Sequence, residues 1–149
     1  YFSLKGVDYY PECDRERLIA VAGRLYDYII MDFGNYADAD QILFNKWDVR
    51  IIISGSKPWE LANLEEVFRS QEEEVLKKYH FCFLGTTNNR LQKEIIKHME
   101  PLENIYFPEY NEDPLACDHF PEGFEILRDY LEPVKKEKKK KSFFGKKRG

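Results

Sequence analysis

The chain is 149 residues long, 43% hydrophobic and 34% charged, with a formal net charge of −4; that length and balance fit a soluble globular domain with its own core. No apolar run approaches the roughly 20 residues that span a bilayer, and no signal peptide opens the sequence. The charge is split: from Lys135 onward there are nine basic residues and one acidic one, leaving 14 basic and 26 acidic residues in the body, which argues against a general nucleic-acid surface on the domain.

Cys13, Cys82 and Cys117 are far apart and odd in number. Such a set argues for reduced thiols in a cytosolic protein rather than a disulfide framework. The chain opens with Tyr1 rather than Met, as a fragment or a processed product does.

In chain order, residues 1–4 read as a short strand followed by a loop holding Gly6 and Pro11. Asp14 is an N-cap for a helix reaching about Tyr26, with Leu18, Val21, Ala22 and Leu25 on one face. Residues 28–31 are bulky and apolar and end abruptly in Asp32, with Gly34 two residues on. That pattern suits a strand buried on both faces of a parallel sheet. Residues 37–47 read as a short helix and residues 49–53 as a second, β-branched strand.

Pro58 suits the first turn of the next helix, which presents Leu61, Leu64 and Phe68 inward. The acidic stretch at residues 71–74 is a solvated face. Residues 81–84 form the third strand, and a helix through Leu91, Ile95, Ile96 and Met99 follows. Residues 104–107 are a fourth strand and residues 123–131 a closing helix that Pro133 stops. Strand and helix alternate throughout. The expected fold is α/β: a parallel sheet with helices on both faces, over residues 1–133, with a basic disordered tail at 134–149.

The chemistry-bearing residues fall after the strands. The loops at Asp32–Gly34, Ser54–Pro58, Gly85–Arg90 and Pro108–Asn111 each follow a strand's C-terminal end. In a parallel sheet those ends share one edge, where α/β proteins bind ligands. Asp32 reads either as a cap for its own turn or as a carboxylate that holds Mg²⁺ through water. Asn88 and Asn89 offer the donor and acceptor that read a purine edge, or a turn and a helix cap. Arg90 stacks on a base or pairs with the acidic body. Trp59 reads as core or as a protein–protein anchor, core being the stronger reading. His80, His98 and His119 show no metal-ligand spacing, and Cys117 with His119 lacks the second pair of a zinc site.

Residues Tyr26-Asp27-Tyr28-Ile29-Ile30-Met31-Asp32-Phe33-Gly34 resemble the second nucleotide motif of ParA/MinD-type P-loop ATPases, in which a helix precedes "YDYIIID" and the last aspartate belongs to the Mg²⁺ site. Asp48-Val49-Arg50-Ile51-Ile52-Ile53 and Lys57-Pro58-Trp59-Glu60-Leu61 are similar to the family's next strand and Pro-led helix. Phe83-Leu84-Gly85-Thr86-Thr87-Asn88-Asn89-Arg90 resembles its Asn-containing loop near the adenine, and Tyr106-Phe107-Pro108-Glu109-Tyr110-Asn111 its segment approaching the base.

The resemblance implies the C-terminal half of a Rossmann-like P-loop domain. In it Asp32 serves the metal, Gly34 and Asn35 form the phosphate-sensing loop, and Asn88, Asn89, Arg90, Pro108 and Glu109 lie around the base. It implies ATP and Mg²⁺ as ligands, and a switch that homodimerises when nucleotide is bound and recruits a protein partner. The family's phosphate loop is missing: no G-x-x-x-x-G-K-[ST] occurs in the 149 residues. Truncation is one account. The other is a catalytically inactive adaptor, tethered by its tail. From Lys135 to Arg148, basic clusters flank Phe143 and Phe144. That composition reads as a solubilising tail, as a contact to anionic lipid at the inner face of the membrane, or as a contact to nucleic acid or an acidic partner. The implied location is cytoplasmic.

Overall fold

The computed structural model describes residues 1–108, 125–128 and 130. The chain divides into two compact units, Tyr1–Asp40 and Gln41–Gly149.

In the first unit, β1 (Phe2–Leu4) and β2 (Val7–Tyr9) form an antiparallel hairpin, with Phe2 opposite Tyr9, Ser3 opposite Asp8 and Leu4 opposite Val7. Lys5 and Gly6 both have positive φ (49° and 80°). Two such residues in a row give the tight turn whose twist matches a hairpin. The first strand was legible; its partner, in what reads as a loop, was not. The pleat puts Phe2, Leu4, Val7 and Tyr9 on one side, with the Phe2 and Tyr9 rings stacked 5.0 Å apart.

Helix α1 (Arg15–Ala22) begins at Asp14, whose Oδ1 accepts from the Arg17 N–H at 2.7 Å, and buries Leu18 and Val21. It stops four residues short of Tyr26. Released from the helix, Tyr26 donates to Asp8 Oδ2 at 2.7 Å and lies 2.8 Å from the Tyr10 hydroxyl. Arg24 donates to Tyr10 at 2.6 Å, and Ser3 donates to Asp8.

The expected strand at 28–31 does not form: the segment carries no ladder, and Ile30 is 91% exposed. The unit's only strands, β1 and β2, pair with each other. Strand preference is largely a preference for neighbours, and here none is offered. The single helix expected at 37–47 is instead a 3₁₀ turn at Tyr36–Asp38 and a separate α2 (Gln41–Phe44).

The second unit is mixed α/β. It is built on β3 (Arg50–Ser54), β4 (Tyr79–Phe83) and β5 (Ile105–Tyr106), all parallel in the order β3-β4-β5. β3 leads through α3 (Pro58–Ser70) and α4 (Glu73–Leu76) to β4, and β4 through α5 (Asn89–His98) to β5. Register puts Ile52 opposite Phe81 and Ile105, so one face carries Ile52, Tyr79, Phe81, Phe83 and Ile105. Tyr79, Phe81 and Phe83 are at most 1% exposed, which makes this face the core.

Phe68 of α3 packs on Phe81 with ring centroids 5.8 Å apart, and Phe44 meets Tyr79 edge-on at 5.5 Å. Phe68 also shares a hollow with Met99 and Leu102, which follow α5. Both crossover helices therefore cover the same face, as right-handed connections advancing in one direction require. The other face carries Ile51, Ile53, His80, Cys82 and Tyr106, with Ile53 65% exposed. The closing helix is described over α6 (Glu125–Arg128), with Ile126 buried. No helix among the described residues is long and apolar enough to cross a membrane.

Candidate functional site

The C-terminal rim of the three-stranded sheet gathers three of the four expected loops. β3 runs into residues 54–57, β4 into 84–88 and β5 into Phe107 and Pro108. The first two are tied together: the Leu84 N–H donates to the Ser54 carbonyl at 2.9 Å, extending the ladder one step past the strands. Phe107 stacks on Phe83 at 5.6 Å, which holds the third loop to the same rim.

The β3–α3 loop is built around Gly55 and Glu60. Glu60 reaches back three residues, and its Oε2 accepts the Lys57 N–H at 2.9 Å, one of the donors a helix start leaves without an intrahelical partner. Its carboxylate occupies the space that a Cβ at Gly55 would need. Pro58 fills the first helical position, where no N–H is required. Lys57 Nζ lies over the Trp59 ring, 5.4 Å from its centroid. Trp59 is 65% exposed, so the core reading of this residue is overturned. In the first turn of α3 its side chain clears the apolar stripe of Leu64 and Val67.

The β4–α5 loop turns on Gly85, at φ +70°, where a glycine carries no Cβ penalty. Asn88 is the N-cap of α5: its Oδ1 accepts from the Arg90 N–H at 2.9 Å and the Leu91 N–H at 3.3 Å. Asn89, the first helical residue, is exposed, with no hydrogen bond from its carboxamide among the described residues. Arg90 pairs with Glu94 along the helix at 3.1 Å. Gln92 Nε2 donates to the Thr86 carbonyl at 2.6 Å, while the buried Thr86 hydroxyl has no partner among the described residues.

Asp32, Gly34 and Asn35 belong to the first unit. Asp32 Oδ1 accepts from the Gly34 N–H at 2.8 Å, closing a turn that Gly34 completes at φ +68°. Asn35 precedes the 3₁₀ turn and makes no side-chain cap bond. Glu109, Asn111, Cys117, His119 and the basic tail fall outside the described residues.

At the rim the Asn89 carboxamide is exposed, while Phe107 and Pro108 are half-buried. Nothing in the sequence provides the backbone cradle and lysine that a triphosphate needs. Asp32 retains one carboxylate oxygen outside its turn. Among the described residues no three His, Cys, Asp or Glu side chains cluster with metal-binding geometry.

Glu60's return to Gly55 was missed at the sequence level. The signal was there: glutamate three residues after the cap position, behind a Pro at the helix start. Away from the rim, half-buried His80 lies 3.3 Å from the Tyr106 hydroxyl, and burial together with the Arg50 charge lowers its pKa. Burial pushes the Cys82 thiol up to about 11.

Compared with protein-family models, curated proteins and solved structures, the chain matches none of them.

Proposed function

We propose that this chain is the base-side half of an ATP-dependent switch of the ParA/MinD type, with the phosphate loop supplied from outside these 149 residues. The observation that carries the reading is the shared rim: residues 54–57, 84–88 and 107–108 follow parallel strands and end at one edge of one sheet. That edge is where open α/β sheets take ligands. In this reading Asn89 reads the base edge and Pro108 with Glu109 flanks it. Asp32 holds Mg²⁺ through water, and Gly34 and Asn35 respond to the phosphates. A Rossmann-like sheet with helices on both faces would then be completed by parts not seen in the second unit. Nucleotide-bound homodimers would recruit a protein partner in the cytoplasm. The tail from Lys135 to Arg148 would rest on anionic lipid at the inner face of the membrane.

The missing phosphate loop favours a second reading, a catalytically inactive adaptor tethered by the same tail. Saturation-transfer NMR on the chain, with adenosine, ATP and inorganic triphosphate as separate probes, separates the two. The switch reading expects transfer to the base protons of adenosine and ATP, lost in Asn89→Ala, and weak or no binding of triphosphate. No transfer to either adenine ring leaves the adaptor.

A further inference from the structure

Helix α3 carries a stripe of exposed residues that no other described element packs against. Trp59, Ala62, Asn63 and Glu66 are all exposed, at the i, i+3, i+4, i+7 spacing of one helix face. Leu64 and Val67 face the core from the opposite side. Trp59 stands at one end of the stripe with Lys57 Nζ drawn over its ring, and the Lys57 ammonium has no carboxylate partner among the described residues. Glu66 stands two turns away at the other end, equally unpaired, whereas its neighbour Glu65 is taken by Arg69 at 2.6 Å. Beside Glu66 the helix surface carries a shallow, open hollow between Ala62, Glu65, Glu66, Arg69 and Ser70. The two middle positions, Ala62 and Asn63, are small enough for a second helix to come close.

This stripe is complementary to itself. When two copies of α3 lie antiparallel about a two-fold axis between Ala62 and Asn63, Trp59 of each copy falls opposite Glu66 of the other, and Ala62 opposite Asn63. The exposed ring of one copy then meets the hollow of the other, and the ammonium riding on that ring meets the free carboxylate. Isologous contacts need this kind of patch, in which one surface carries both the knob and its receptor. An exposed tryptophan packed beneath a charge pair is a common anchor of such contacts.

We propose that the exposed face of α3 is a self-association surface whose partner is a second copy of this chain, joined through Trp59 and the Lys57–Glu66 charge pairs. The proposal uses no nucleotide, so it stands apart from the ATP reading above. The test is sedimentation equilibrium of the 149-residue chain, nucleotide-free, over a concentration series. The expected result is a reversible dimer whose Kd rises at least tenfold in Trp59→Ala and in Glu66→Lys. The paired variant Lys57→Glu with Glu66→Lys should regain most of the lost affinity, because it swaps both signs across the two-fold axis. All these positions are exposed, so unchanged far-ultraviolet circular dichroism shows that the variants are folded. A wild-type chain that stays monomeric throughout overturns the proposal. So does a dimer indifferent to Trp59→Ala, or a charge-swapped pair no better than the single Glu66→Lys.

Discussion

The carboxylate of Glu60 sits on the Cα of Gly55, in the volume that any side chain at position 55 would claim. A Cβ at this position obliges the flexible end of Glu60 to move aside. Gly55→Ala therefore evicts Glu60 from the start of α3 and exposes the Lys57 N–H that Glu60 caps. Loss of such a cap costs about 1 kcal/mol, so Gly55→Ala and Glu60→Ala should each lower the urea midpoint by a corresponding amount. Because both remove the same contact, the double variant should be scarcely worse than either single one. Two additive losses in urea denaturation would show that the residues act independently.

Phe81 is the centre of the sheet's buried face, 1% exposed, between Ile52 and Ile105 in register and under Phe68. Phe81→Ala removes a ring from a site with neighbours on every side and should cost about 3–5 kcal/mol. Domains of this size hold only about 5–15 kcal/mol in all, so thermal denaturation should show a large fall in Tm or no folded state. Ile53, on the same sheet but 65% exposed, is the control. Ile53→Ala should stay within about 0.5 kcal/mol of wild type.

What the sequence made legible follows from which patterns carry local information. Strands β3, β4 and β5 and helices α3 and α5 were all placed correctly to within a few residues. Their apolar periods coincide with burial, and Pro58 and Asn88 mark two of the helix starts. The segment at 28–31 has an equally strong apolar run and yet forms no strand. A run of that kind states a need for neighbours on both edges and cannot state whether the chain supplies them. The hairpin failed in the opposite way, because its signal is the positive φ of Lys5 and Gly6, and Lys is a poor advertisement for that conformation. At the rim, the residue types were legible and their assignments were not. Asn88 and Asn89 are identical in composition, and only the start of α5 separates a cap from a free carboxamide.

His80 gives the second unit a pH dependence. Its pKa is lowered by burial and then by the nearby Arg50 charge, so the folded protein holds the imidazole neutral. The unfolded chain binds a proton near the ordinary histidine pKa of about 6.5. Below that pH the unfolded state takes up more protons than the folded one, and stability falls as the pH falls. Urea midpoints should therefore drop between about pH 6.5 and pH 5, and His80→Gln should flatten that part of the profile. A slope unchanged in His80→Gln assigns the dependence to another group.

Asn88 and Asn89 should separate cleanly under substitution. The Asn88 oxygen satisfies two backbone N–H groups at the start of α5. Asn88→Ala leaves both without a side-chain acceptor, and such caps are worth about 0.5–2 kcal/mol. Asn88→Asp keeps the accepting oxygen and adds a negative charge at the helix N-terminus, a favourable placement. It should match or exceed wild-type stability. Asn89 offers the helix no side-chain hydrogen bond among the described residues, and alanine is the better helix former. Asn89→Ala should therefore be neutral or slightly stabilising in urea denaturation, even where it abolishes contact with adenosine. If Asn89→Ala instead unfolds the domain as readily as Asn88→Ala, its carboxamide has a structural partner and is unavailable to a base.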